Sequence, residues 1–282
     1  MRFNKLKSWA KINLSINVIK CLPNNFHSIE SLITFIQIFD EIKIRSINQK
    51  EHRISFSGKF SKGIGKNNTV YKLLNLLEKK NIIKGKKFEI NIKKNIPQKS
   101  GMGGGSMNAA SILRYLIKKK ILNLSNNKVE KLSYKVGFDV ALGLVKKNSI
   151  LFKNRKIGRL NNKINFHVLI VMPNVSCSTK YIYSRVRKYS KSLYFKNNKR
   201  FFESSYLARS NNDLENIVFK KYPKIKNLKH FLSKLPDIIF TRMTGSGSAI
   251  VAYFKTKKAA NHGAKIFRKK YKNYWYIVSK TI

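Results

Sequence analysis

Apolar and polar residues alternate from Ala10 to Val18, with Ile12, Leu14, Ile16 and Val18 set against Lys11, Asn13, Ser15 and Asn17. A period of two predicts a half-buried strand, and it puts Lys11 and Asn13 on one face. Pro23, Asn24 and Asn25 signal a turn. Further strand is predicted from Ser31 to Ile44, broken near Asp40. From Asn67 to Lys79 the period changes, and Val70, Leu73, Leu74 and Leu77 fall on one helical face. Lys87 to Lys93 alternates again through Phe88, Ile90 and Ile92 and runs towards Pro97.

Past a run of glycines, Ala109, Ile112, Leu113, Leu116 and Ile117 recur at helical spacing, and Lys118, Lys119 and Lys120 close that helix where positive charge suits its dipole. A helix is predicted over Lys128 to Val136, with Gly137 as its C-cap. A strand follows over Phe166 to Met172. Arg185 to Asn212 is polar, basic and aromatic, with partial helix. Strands over Ile238 to Phe240 and Ala249 to Phe254 flank a Gly/Ser loop. A helix over Ala259 to Tyr271 and a strand over Tyr274 to Val278 end the pattern. Helices and strands mix without regular alternation, which predicts an α+β fold. A division near residue 160 gives two domains, 1–160 and 161–282.

The chain has 282 residues, enough for a sizeable buried core, and its 43% hydrophobic content is globular. Cys21 and Cys177 are the two cysteines. They build neither a metal spacing nor a disulfide framework, which fits a reducing compartment. The first twenty residues hold no long apolar run, so neither a leader nor a membrane span is expected, and the expected location is cytoplasmic. Sixty Lys and Arg stand against twelve Asp and Glu, a net charge of +48. The basic residues are spread along the chain, as in a biased composition. A nucleic-acid partner is therefore not expected, while any anionic substrate would be attracted.

Pro97, Gln98, Lys99, Ser100, Gly101, Met102, Gly103, Gly104, Gly105, Ser106 and Met107 form a glycine-rich loop directly before a helix. Free N–H groups and the helix dipole make such a junction an anion site. It is not a Walker A loop, which ends in Gly-Lys-Ser/Thr. Nor is it a dinucleotide fingerprint, whose third glycine would fall on Ser106. A second glycine element, Thr244 to Ser248, gains meaning from occurring with the first.

In this order, the strand with Ala10, Lys11, Ile12 and Asn13, the loop from Pro97 to Ser106 and the loop from Thr244 to Ser248 resemble the three signatures of the GHMP kinase superfamily. That resemblance implies a two-domain α+β fold, with a ribosomal-protein-S5-domain-2-like N-terminal domain and a ferredoxin-like C-terminal domain. It implies a small-molecule kinase that uses ATP, with Mg²⁺ arriving on the nucleotide. Phe26, His27, Glu30 and Ser31, then Gly137, Phe138 and Asp139, then Asn212, Asp213 and Glu215, resemble those members that phosphorylate the 2-hydroxyl of a cytidine diphosphate sugar alcohol, cytidine diphosphate methylerythritol, on a route to isoprenoids.

The resemblance implies roles. Residues 97–107 bind ATP, with Ser106 on a phosphate or the metal and Lys99 near phosphate oxygens. Asp139, on a loop after the Gly137 helix stop, accepts the hydroxyl proton. Lys11 keeps Asp139 ionised and stabilises the transferring phosphoryl group. Asn13, Phe26, His27, Gly245 and Ser246 bind the substrate, with Phe26 stacking on the cytosine. No protein metal ligand is assigned. Two positions depart from the family pattern: Phe26 replaces a tyrosine, and Ala141 replaces a proline two residues after Asp139. The alternatives are another kinase of the superfamily and a basic nucleic-acid-binding protein; the latter has no need of the glycine loop.

Overall fold

A computed structural model describes residues 2–23 and 26–282, so the predicted turn residues Asn24 and Asn25 lie outside the described residues. Two long strands open the chain, β1 (Asn4–Cys21) and β2 (His27–Ile47), and they pair with each other. The chain clusters into two units. The first is residues 1–10, 38–98 and 103–146; the second is 11–37, 99–102 and 147–282.

In the first unit, β2 pairs antiparallel with β4 (Lys87–Lys93), with Ile42 opposite Ile92 and Ile44 opposite Ile90. β4 pairs parallel with β3 (Arg53–Ser57). Helix α1 (Thr69–Lys79) starts where the Asn68 side chain accepts from the backbone N–H groups of Val70 and Tyr71. Helices α2 (Gly104–Lys118), α3 (Asn126–Val136) and α4 (Phe138–Gly143) follow. Leu73, Leu77, Phe88, Ile90, Ile112 and Leu116 meet in one apolar core. Each such side chain contributes about 1.5–3 kcal/mol on burial.

In the second unit, β5 (Asn148–Leu151) pairs with residues 31–33 of β2 and with β6 (Ile157–Leu160). Then come β7 (His167–Met172), α5 (Thr179–Ser184), a 3₁₀ turn (Lys199–Phe202), α6 (Ser204–Arg209), α7 (Glu215–Lys221) and α8 (Pro223–Leu232). Strands β8 (Ile238–Met243) and β9 (Ile250–Phe254), helix α9 (Lys257–Lys270) and strand β10 (Trp275–Lys280) complete it. The antiparallel sheet has the order β10-β7-β9-β8. That is a split β-α-β arrangement, the expected ferredoxin-like topology. Leu169, Val171, Leu228, Leu232 and Phe267 join α8 and α9 to this sheet.

Several expectations are corrected. β2 runs unbroken through Asp40. That carboxylate is buried and accepts from the backbone N–H groups of Asn95 (2.8 Å) and Ile96 (2.9 Å) and from the Lys94 ammonium, so a polar residue in mid-strand is satisfied rather than marking a break. β1 is not half-buried from Ala10 to Val18, because Lys11, Asn13, Ser15 and Asn17 are covered too. Helix α2 begins at Gly104, ahead of Ser106. Gly137 is the C-cap of α3, as expected, with φ 170°, an extended conformation. Asp139 lies in the first turn of α4 rather than on a loop, because Gly137 at once becomes the N-cap of a new helix.

Candidate active site

Lys11 is 4% exposed on β1, and its ammonium donates to Asn13 Oδ1 at 2.7 Å. The alternation therefore placed both on one face, as expected. Asn13 is held from three sides. Its backbone N–H donates to Thr244 Oγ1 (3.0 Å), its Nδ2 donates to Ser31 Oγ (2.8 Å), and Lys11 takes its oxygen. The Ser31 hydroxyl in turn donates to the Ser15 carbonyl. An asparagine fixed this way presents its amide in one orientation.

The tip of the first glycine loop, residues 99–102, belongs to the same unit. Lys11 N–H donates to the Met102 carbonyl (3.2 Å), and Thr244 Oγ1 donates to the Gly101 carbonyl (3.2 Å). Gly101 has φ +78°, and a side chain there would overlap the Thr244 carbonyl oxygen. Gly245 has φ +58°, and a Cβ on it would sit 2.9 Å from Gly101 Cα. The two glycine elements thus meet backbone to backbone, an approach that only glycine permits. Asn212 Nδ2 donates to the Met243 (2.8 Å) and Gly245 (2.9 Å) carbonyls, and Ser246 Oγ bonds Thr179 Oγ1 (2.8 Å). Ser100 is buried, whereas Lys99 is exposed at the turn with φ +51°.

The remainder of that loop lies in the first unit. Gly103 is the N-cap of α2 with φ +69° and gives no side-chain cap bond, so the first amides of α2 have no capping side chain of the N-cap type. Gly105 and Ser106 stand in its first turn, Met107 is buried beneath it, and Pro97 is buried before it. Lys94 lies beside Gly104, its Nζ 3.3 Å from where a Cβ would stand. Gln98 Nε2 donates to the Phe60 and Lys62 carbonyls. Helix α4 packs directly on α2. A Cβ on Gly143 would come within 2.6 Å of the Ala110 Cβ and 3.0 Å of the Met107 side chain. The helix carrying Asp139 is therefore locked to the helix that starts at the glycine loop, and Asp139 itself is half-buried in its first turn.

Phe26 is 64% exposed, while His27 is half-buried. The His27 ring lies 5.3 Å from that of Tyr183 and stacks with that of Tyr189 at 6.4 Å. Sequence reasoning passed over these two tyrosines and Thr179. The one available signal was the aromatic content of the stretch from Arg185 onward. Among the described residues, no group of three or more His, Cys, Asp or Glu side chains is gathered for a metal ion. Nor is any helix long and apolar enough to cross a membrane.

Comparison with known proteins bears on the family and the fold. The chain matches the GHMP kinases N terminal domain over residues 68–146 and the GHMP kinases C terminal domain over residues 194–273. Its fold superimposes with a TM-score of 0.80 on a crystal structure of 4-(cytidine 5'-diphospho)-2C-methyl-D-erythritol kinase, at 21% identity, covering 99% of this chain and all of that one. A homoserine kinase from Cytophaga hutchinsonii gives 0.67 at 16% identity, covering 99% of this chain and 94% of that one. The fold and the paired glycine loops define a GHMP kinase. In sequence, the chain is 48% identical to the 4-diphosphocytidyl-2-C-methyl-D-erythritol kinase of Pelagibacter ubique (strain HTCC1062), covering 99% of both chains. It is 31% identical to that of Clostridioides difficile (strain 630), covering 99% of this chain and 96% of the relative. The chain belongs to the family of 4-diphosphocytidyl-2-C-methyl-D-erythritol kinases.

Proposed function

We propose that this chain transfers the γ-phosphoryl group of ATP to the 2-hydroxyl of 4-(cytidine 5'-diphospho)-2-C-methyl-D-erythritol. The observation that carries this reading is the backbone contact of Gly101 with Thr244 and Gly245, which brings the two glycine elements of a GHMP kinase together. Family membership supplies the substrate class.

Phosphoryl transfer is catalysed mainly by positioning and by charge stabilisation. Residues 97–107 hold the triphosphate. The uncapped amides of α2 and the positive end of its dipole face the phosphate oxygens. Asp139 accepts the proton of the attacking hydroxyl, and Lys11 stabilises charge on the transferring group. Asn13, Gly245 and Ser246 hold the sugar alcohol phosphate, while Phe26 and His27 take the cytosine. Mg²⁺ carried in on the nucleotide would need few protein ligands. The Ser106 hydroxyl in the first turn of α2 is an oxygen donor that suits it. The metal supplies neutralisation of phosphate charge when bound.

The test is ATP consumption with the cytidine diphosphate substrate, against homoserine and mevalonate. Turnover with the first alone supports the reading; its absence defeats it.

A further inference from the structure

Residues 186–195 contain neither helix nor strand, yet Ser190, Ser192, Leu193 and Tyr194 are anchored. Glu30, fully buried on β2, accepts from Ser192 Oγ at 2.5 Å and from the backbone N–H groups of Leu193 (2.8 Å) and Tyr194 (3.2 Å). Asp213 Oδ2 accepts from Ser190 Oγ (2.8 Å) and from the Val18 N–H (2.7 Å), while the Ser190 N–H donates to the Val18 carbonyl (2.8 Å). Tyr194 Oη bonds Ser15 Oγ at 2.9 Å. Two carboxylates from different parts of the chain therefore stitch one irregular segment to β1 and β2. Charge-assisted bonds from a carboxylate to backbone N–H groups are among the stronger ones available.

Large side chains in and beside this anchored stretch are exposed. Tyr189 is 47% exposed, Leu193 49% and Phe195 72%. Together with Phe26 they account for most of the large apolar side chains left in solvent among the described residues. Holding exposed rings on a rigid backbone lowers the ordering cost of binding a flat ligand. Tyr189 already stacks with His27.

We propose that Glu30 and Asp213 are positioning residues for nucleobase recognition: their carboxylates clamp Ser190 to Tyr194 and so fix the Tyr189 ring beside His27. This rests on the functional reading above. Neither carboxylate touches the substrate; both act through the segment they hold.

The experiment compares steady-state kinetics of the parent, Glu30→Ala, Glu30→Gln and the double variant Ser190→Ala/Ser192→Ala. The double variant removes one bond from each clamp without opening a buried cavity, so it carries the test if Glu30→Ala does not fold. Each hydrogen bond lost to the clamp is worth roughly a 2- to 10-fold change in binding. The KM for the cytidine diphosphate substrate is therefore expected to rise about tenfold in Glu30→Ala and in the double variant. The KM for ATP and the kcat should stay within about twofold, since nothing in the clamp touches the phosphate cradle. Glu30→Gln retains an acceptor oxygen for the two amides and should restore most of the affinity. An active parent whose variants keep the parental KM, or lose both KM values and kcat together, overturns the inference alone. A parent that does not turn over the cytidine diphosphate substrate overturns the functional reading and this inference with it.

Discussion

Asp139 carries the proton transfer in this account, and the chain has few acids that could stand in for it. Asp139→Asn keeps the size of the side chain but removes the base, so kcat should fall by roughly 10²–10⁴ with the fold intact. Steady-state assays alongside circular dichroism check this, and turnover within about tenfold of the parent would sink the assignment. Cysteine reactivity offers a second residue-scale prediction. Cys21 is exposed and Cys177 is buried. Burial pushes the Cys177 thiol up to about 11, only partly offset by the Lys221 charge. A raised value leaves less thiolate at any working pH, so the thiol reacts more slowly. Iodoacetamide at pH 8 should label Cys21 first, with Cys177 modified only on denaturation; equal rates read by peptide mass spectrometry would contradict this. At this scale the sequence was legible where chemistry is local. Alternation alone placed Lys11 with Asn13. It was silent on Thr244 Oγ1 and Ser31, because hydrogen bonds between residues 231 and 18 positions apart leave no local pattern.

Among the elements, strong periodicity gave reliable strands and helices. β4 and α1 fall almost where the alternation of Phe88, Ile90 and Ile92 and the spacing of Val70, Leu73 and Leu77 put them. Short elements such as β3, β5, β6 and α5 escaped, since four to six residues hold too little of either period. Asp40 misled for a different reason. A buried acid reads as a break unless its partners at Lys94, Asn95 and Ile96 are known, and these come more than fifty residues later. The meeting of the glycine loops also belongs at this scale, and it yields a prediction. In Gly101→Ala, the new Cβ falls on the Thr244 carbonyl in a left-handed backbone, which costs about 1–3 kcal/mol in strain before any clash. The loops must separate, so the melting temperature should fall and the KM for ATP should rise. Gly63→Ala, also at positive φ but with open space around it, controls for conformation alone. Equal effects of the two substitutions would refute a role for the loop contact.

The whole molecule is dominated by its charge of +48. Self-repulsion at that charge destabilises the compact state, and salt screens it, with a Debye length of about 10 Å at 0.1 M. Melting temperature should therefore rise as sodium chloride increases from low concentration to a few tenths molar. Both substrates are polyanions, so kcat/KM for each should fall over the same range as steering is screened. A salt-independent melting temperature, or rates that rise with salt, would contradict this. Composition made the charge plain, and the mixed pattern of elements made the α+β class plain. The ferredoxin-like order β10-β7-β9-β8 was expected from the family resemblance, not from periodicity, because sheet order depends on long-range pairing.

The most direct test of the central claim is a coupled assay of ADP release, with the product followed by phosphorus NMR, using ATP, Mg²⁺ and 4-(cytidine 5'-diphospho)-2-C-methyl-D-erythritol. The account predicts one ADP per substrate consumed and a new phosphomonoester on the 2-hydroxyl, with no turnover of homoserine or mevalonate. An inert cytidine diphosphate substrate, or preferential phosphorylation of either alternative, would contradict it.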